Sequence, residues 1–392
     1  MKVLMIAPQP WFSPRGTPFS VLHRLRTLSK LGHHIDLVTY HIGKDVPIDN
    51  VTINRAAKVP FVNKIVIGPS KIKLIFDWLL YRKTVELLNK NKYDLIHTHE
   101  EAGFFGPRLA KKYGCLHLYD MHSSLPQQLT NFKYTKLNFL ISMFEKFEEY
   151  TITNAEAVIT ICPELHDYVA KLFPDKFNML IENVADNSDV FDEKVVSPSE
   201  LRERYHLNGD LIVLYAGTFE HYQGIDLLIE SSDQVLKKHQ NVKMFLVGGN
   251  EEQVNKYKAM VAERNLSDKY IFTGSVKPED VPNFVNLADI LVSPRIEGNN
   301  TPLKIYSYLR SGKPVVATRH ITHTQVLNDE VSLLTEVNPD SFGKGINQLI
   351  ENDSLRDRIS ENAKKLADEK YSYEVYVNKT KKIYEYLEGK LR

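Results

Sequence analysis

Cysteine is nearly missing from this chain. Of 392 residues only Cys115 and Cys162 carry thiols, and both sit at apolar strand edges without metal-ligand spacing. That excludes a disulfide scaffold and a cysteine-held metal cluster, and it suits reduced, structural thiols in a cytoplasmic protein. A surplus of charge is missing too. With 50 basic and 49 acidic residues the formal net charge is +1, so no global field marks a nucleic-acid binder and any basic patch must be local. No uncharged apolar run approaches the roughly 18 residues that span a bilayer, which leaves a soluble or peripheral protein. The opening M-K-V-L-M-I-A-P stops at Pro8, too early for a signal peptide, and reads as a first strand. Low-complexity segments and short-period repeats are lacking. No Asp-x-Asp pair stands at a strand end.

What is present is alternation. Short apolar strands recur between longer amphipathic helices in both halves, the pattern of α/β domains with parallel sheets, and the length fits two of them. Periodicity fails from Glu182 to Pro198, where Asn, Asp and Ser accumulate; this is the expected linker, with domains at 1–190 and 191–372.

The richest stretch runs from Ser293 to Thr318. Asp289–Val292 reads as a buried strand that Pro294 stops. The loop after it, with Arg295, holds one carboxylate, Glu297, and Gly298, Asn299 and Asn300 let the backbone turn. Thr301 is the expected N-cap and Pro302 the first residue of a helix continuing from Leu303 to Arg310, with Lys304 in its first turn. Gly312 closes it and Pro314–Ala317 is the next strand. Unpaired N–H groups and a positive dipole end then face a carboxylate across a loop, an anion cradle. The plain alternative is an ordinary strand, turn and helix.

Other stretches carry weaker signals. After the strand Lys2–Ala7, the loop Pro8–Thr17 contains Arg15 and Gly16 and leads into a helix through Leu31. Arg15 can meet a phosphate or only solvent. His97, Thr98, His99, Glu100 and Glu101 come at the exit of the strand Leu95–Thr98; with no third spaced ligand they read as hydrogen-bonding residues. Leu116–Tyr119 leads to Asp120, Met121 and His122. Leu211–Ala216 leads to Gly217, Thr218 and on to Gly224, before a helix from Ile225. Gln128–Thr153 reads as one long helix. Phe61–Lys90 interleaves Lys64, Lys71, Lys73, Arg82 and Lys83 with apolar and aromatic residues. Such a surface serves a membrane interface or a lipid-acceptor groove, or packs its apolar face on the sheet.

The acid, the Gly/Asn loop, the helix and the G-x-P-V-V-A run together resemble the donor-site signature of glycosyltransferase family four, the group 1 glycosyltransferases. The resemblance covers nearly the whole chain, most strongly Leu211–Thr318. It implies a GT-B fold, two Rossmann-like domains with parallel sheets facing a central cleft, and a tail, 373–392, that crosses back to the first domain. It implies retaining transfer of a sugar from a nucleotide-diphosphate sugar to a glycan, lipid-linked or small-molecule acceptor, with no metal and no cofactor beyond the donor. Glu297 and His122 would position the donor sugar. Gly16 and Thr17, Gly217 and Thr218, Arg295, and Gly298 through Leu303 would line the donor, with Val276 at the base through its backbone. The family's ribose-binding acid falls at Ser307, which keeps a hydroxyl but no charge. Its two diphosphate cations fall at Glu220 and Gln223, a loss that weakens phosphate binding unless Lys304, or else Arg295, compensates. Rival implications are a GT-B scaffold that binds a nucleotide or partner without turnover, and a nucleotide-sugar epimerase.

Overall fold

The computed structural model of the chain describes residues 1–12, 16–60, 62, 71–127, 138–184, 196–207 and 209–391, with the side chains of Lys71, Asn138 and Leu140 excepted. Arg15, Lys64, residues 128–137 of the expected long helix and 185–195 of the expected linker lie outside them.

The chain forms two compact units, Met1–Glu182 with Tyr376–Arg392, and Asn183–Val375. In the first, a seven-stranded sheet has the order β3-β2-β1-β4-β5-β6-β7. These are β1 Lys2–Ala7, β2 His34–Thr39, β3 Val51–Arg55, β4 Leu95–His99, β5 Leu116–Met121, β6 Ala157–Thr160 and β7 Asn178–Leu180. In the second, six strands run β10-β9-β8-β11-β12-β13: β8 Leu211–Ala216, β9 Val242–Val247, β10 Tyr270–Gly274, β11 Ile290–Ser293, β12 Val315–Thr318 and β13 Leu333–Thr335. Every strand pairing within these two sheets is parallel. Both are therefore Rossmann-like, doubly wound sheets.

Parallel strands read as continuous apolar runs because helices cover both faces. In β8, Ile212, Leu214 and Ala216 enter one core while Val213 and Tyr215 enter the other. The order reverses at β1/β4 and again at β8/β11, and at such switch points the loops leaving the strands' carboxyl ends splay apart to admit a ligand.

The late helix Tyr373–Leu391 buries Tyr376, Thr380, Ile383, Tyr384 and Leu387, an i, i+4, i+7, i+8, i+11 face. Arg24 donates to Thr380 Oγ1 at 2.9 Å, and Lys379 to Glu182 at 2.8 Å, which ties the helix into the first unit. Among the described residues no helix is long and apolar enough to cross a membrane.

Two expected boundaries are corrected. Pro302 is the residue before the helix Leu303–Ser311, with extended dihedrals and no side-chain cap, so Thr301 is not the N-cap. Proline's φ is as compatible with extended backbone as with helix, and here ψ is 135°. Gly16 and Thr17 belong to the first turn of the helix Gly16–Lys30 rather than to the loop before it.

Candidate functional site: a cationic loop in one unit and a histidine cluster in the other

In the second unit, the loops after β8 and β11 are built on close backbone contacts. Gly217 has φ +154°, and a Cβ there would stand 2.9 Å from both Lys304 Nζ and the Tyr215 hydroxyl. A Cβ on Gly224 would lie 2.0 Å from the Pro294 carbonyl oxygen, so only glycine lets the two loops touch. Ile296 N donates to Tyr222 O at 3.0 Å, a second tie between them. Gly224 then precedes the helix Ile225–Lys238 in a left-handed conformation.

Lys304 leaves the first turn of the helix Leu303–Ser311 and lays its ammonium over the Tyr215 ring, 3.7 Å from the centroid. That nitrogen is buried and has no hydrogen-bond partner among the described residues. Burial, with Arg295 nearby, pulls its pKa well below the ordinary lysine value. Arg295 lies over the Tyr222 ring at 5.0 Å and donates from Nε to Glu297 O at 2.8 Å; burial lowers its pKa as well. Gln223 Oε1 and Thr301 Oγ1 are likewise buried without a partner among the described residues. A buried ammonium, an amide oxygen and a hydroxyl left unmatched beside a helix start are costly unless something polar completes them.

Glu297 is exposed, and Gly298, at φ +109°, passes so close to Arg295 that a Cβ would meet Nη2 at 2.5 Å. Gln325 Nε2 donates to Asn299 O and fixes the loop from the far side. Asn300 lies between that point and Thr301. Ser307 donates its hydroxyl to Lys304 O at 2.9 Å, back within its own helix. Thr218 is exposed, and its carbonyl accepts from the Tyr215 hydroxyl at 2.7 Å. Val276 is half-buried against the core of the same unit. Beneath the loop, His323 Nε2 meets Ser293 Oγ at 2.8 Å, and burial lowers its pKa to about 3.

In the first unit, the carboxyl ends of β4 and β5 bring together His97, His99, Asp120 and His122. Asp120 is fully buried, and Arg24 Nε and Nη2 each approach its Oδ2 at 3.1 Å. His122 Nε2 lies 2.9 Å from His99 Nδ1. Thr17 donates to Glu100 at 3.1 Å; Gly16 has open space where a Cβ would be. The expectation that no third ligand stands near His97 and His99 is corrected: Asp120 does, with ligand atoms of the three within 4.8 Å of one another. The sheet supplies it, since β4 and β5 pair His99 with Asp120. The Arg24 guanidinium already occupies the side of Oδ2, so the positive charge this carboxylate needs is built into the chain.

Tyr215 as the platform under Lys304, Gln325 as the anchor of Asn299, and Arg24 beside Asp120 carry no motif in the sequence and emerge only from the fold. Gly248 follows β9, and a Cβ there would stand 1.9 Å from Gly217 O.

Residues 198–366 match the family model for glycosyl transferases group 1, and residues 14–180 that for glycosyltransferase family 4. The chain belongs to this family of GT-B glycosyltransferases, enzymes that pass a sugar from a nucleotide-diphosphate sugar to an acceptor. Among its relatives, an uncharacterized glycosyltransferase of Methanocaldococcus jannaschii is 23% identical over 373 residues, spanning 91% of this chain and 90% of that protein. Sucrose-phosphate synthase from Thermosynechococcus elongatus has the same fold, with a TM-score of 0.78 at 20% identity over 99% of both chains. An Anabaena protein in complex with UDP gives 0.72 at 16% identity, over 99% of this chain and 100% of that one.

Proposed function

We propose that this chain is a retaining, metal-independent glycosyltransferase that holds the donor diphosphate between the Gly217 loop and the start of the helix Leu303–Ser311. The single observation that carries the reading is the Lys304 ammonium, buried against Gly217 with the Tyr215 ring beneath it but no hydrogen-bond partner among the described residues. A diphosphate would supply the missing anion, and the N–H groups of the helix's first turn would share its charge. Gln223 and Thr301 would complete the set, with Glu220 turned away to accept from Gln253 Nε2 at 3.2 Å.

In this reading the bond from the sugar's anomeric carbon to the diphosphate oxygen breaks while the acceptor oxygen bonds to the same face. The acceptor's hydroxyl proton passes to the departing phosphate. Lys304, Arg295 and the helix amides stabilise the charge that develops on that leaving group, which is where fixed donors lower the barrier most. Glu297 and His122 position the sugar. Gly298, Asn299 and Asn300 shape the loop and Leu303 opens the helix after it, Ser307 and Val276 border the nucleoside, Gly16 and Thr17 line the donor from the first turn of the helix Gly16–Lys30, and Thr218 lies on the loop after β8.

We also assign the acceptor, lipid-linked or glycan, to the first unit, together with peripheral contact to the cytoplasmic membrane surface. The support is the helix Lys71–Lys90, where Leu74, Ile75, Trp78 and Tyr81 are 70%, 51%, 55% and 39% exposed. Their spacing puts them on one face, and Arg82 lies over the Trp78 ring at 5.0 Å.

Calorimetry tests the donor assignment. Lys304→Ala is expected to weaken nucleoside diphosphate binding roughly tenfold or more, the worth of one charge-assisted hydrogen bond, and to leave nucleoside binding within about twofold. An equal loss for both ligands refutes the phosphate role.

A further inference from the structure

His122 is one member of the buried cluster in the first unit, and the others have no part in the reading above. We propose that Asp120 and His99 are positioning residues for His122, holding its ring with Nε2 turned inward and the proton on that nitrogen. The catalytic consequence rests on the assignment of His122 to the donor sugar; the geometry does not.

The two oxygens of Asp120 have different neighbours. Oδ2 faces Arg24 Nε and Nη2, both at 3.1 Å, and His97 Nε2 at 3.4 Å. Oδ1 accepts no hydrogen bond among the described residues, and His122 Nε2 stands 3.4 Å from it. His99 Nδ1 lies 2.9 Å from that same His122 nitrogen and 3.8 Å from Oδ2. Two imidazoles that share a hydrogen bond need one N–H and one lone pair. The oxygen that arginine leaves less neutralised is beside His122, so the proton belongs on His122 Nε2 and His99 Nδ1 accepts it.

The rest of the cluster keeps this arrangement from relaxing. His97 stacks on His99 with ring centroids 4.7 Å apart, and its Nδ1 meets the Tyr384 hydroxyl at 2.8 Å. Arg24 is braced by Thr380 at 2.9 Å and by the Tyr376 ring at 5.1 Å. Burial opposes charge on Asp120, yet Arg24 and the histidines hold its carboxyl well below the usual carboxylate value. Burial also lowers the pKa of His97 and of His99. The cluster therefore contains one settled ion pair, around which imidazoles serve as oriented dipoles.

The test is a long-range proton–nitrogen correlation spectrum of the full chain labelled at histidine, with His122 identified by its loss in His122→Gln. The wild-type His122 is expected to carry its proton on Nε2; a proton on Nδ1 overturns the proposal without any variant. Removing only one charge would leave the other buried and unpaired, so Arg24→Met is combined with Asp120→Val. In that double variant His122 is expected to become a mixture of tautomers. In His99→Ala, which leaves the ion pair intact, the slowly exchanging Nε2 proton signal is expected to disappear. In either variant kcat is expected to fall on the order of tenfold to hundredfold, as when an orienting partner is removed. The donor KM and the thermal shift given by a nucleoside diphosphate should stay within about twofold of wild type, because the diphosphate is bound elsewhere. An unchanged His122 signal in both variants overturns the proposal whatever kcat does. A changed signal with unchanged kcat leaves the positioning intact and overturns the assignment of His122 to the sugar.

Discussion

Glu148 shows how one buried side chain makes stability depend on pH. It is 2% exposed on the helix Asn138–Asn154, where the Ser124 and Tyr168 hydroxyls donate to the same carboxylate oxygen at 3.0 and 2.9 Å. Burial outweighs those hydrogen bonds and raises its pKa from 4.5 to about 7. The unfolded chain releases this proton near the ordinary value and the folded chain only near 7, so between those limits the native state binds more protons. Stability from this group is complete below the lower limit and is lost as pH rises through the upper one. At one pKa unit per 1.36 kcal/mol the loss is about 3 kcal/mol. Glu148→Gln keeps an oxygen for both hydroxyls and has no charge to bury. Its melting temperature relative to wild type is expected to rise by several degrees between pH 5 and pH 8, and a constant difference would contradict the assignment.

At the scale of elements, the loop at Gly217 depends on two glycine turns stacked backbone to backbone. Gly248 has φ +121°, and any Cβ on it would strike the Gly217 carbonyl at 1.9 Å. Neither backbone can give way, since Gly217 N is bonded to Val247 O at 2.9 Å and Gly248 N to Gly274 O at 3.0 Å. Gly248→Ala is expected to destabilise the fold by about 2 kcal/mol or more, a mixture of left-handed strain and overlap. Thermal melting checks it, with Gly209→Ala as the comparison, where φ is +73° and no atom lies within 4 Å of a Cβ. Such elements were partly legible. The strand cores of both sheets could be read as apolar runs, and the helix Leu303–Ser311 with its stop at Gly312 could be read from cap and breaker residues. The exact start could not: Thr301-Pro302 satisfies the rules for a helix beginning one residue earlier, and backbone geometry alone decides. A candidate site could be drawn where a motif clusters in sequence, as at Glu297 to Lys304. It was not legible where residues meet only in the fold, as Arg24 on its helix meets Asp120 on β5 across 96 positions of sequence, and as His99 meets Asp120 through the pairing of β4 with β5.

For the whole molecule, the exposed row on the helix Lys71–Lys90 makes the clearest claim on the surroundings. Leu74, Ile75, Trp78 and Tyr81 present apolar surface, and Tyr81 continues it onto Phe105 with ring centroids 5.3 Å apart. Sedimentation with vesicles is expected to bring the protein down with anionic lipid and much less with zwitterionic lipid. Ser in place of Leu74 and Trp78 together should cut the bound fraction severalfold, at about 25 cal/mol per Å² of apolar area withdrawn. Equal recovery of wild type and variant would remove the membrane from the picture.

The helix Tyr373–Leu391 has a further consequence, for the order in which the chain is made. Tyr376, Thr380 and Tyr384 belong to the first unit and cover Arg24 and His97, yet they are translated after everything in the second. On the ribosome the later unit can finish its core first, while the earlier one waits with a buried ion pair still open to water. A stop codon ahead of Tyr376 would therefore damage the half of the enzyme that was synthesised first.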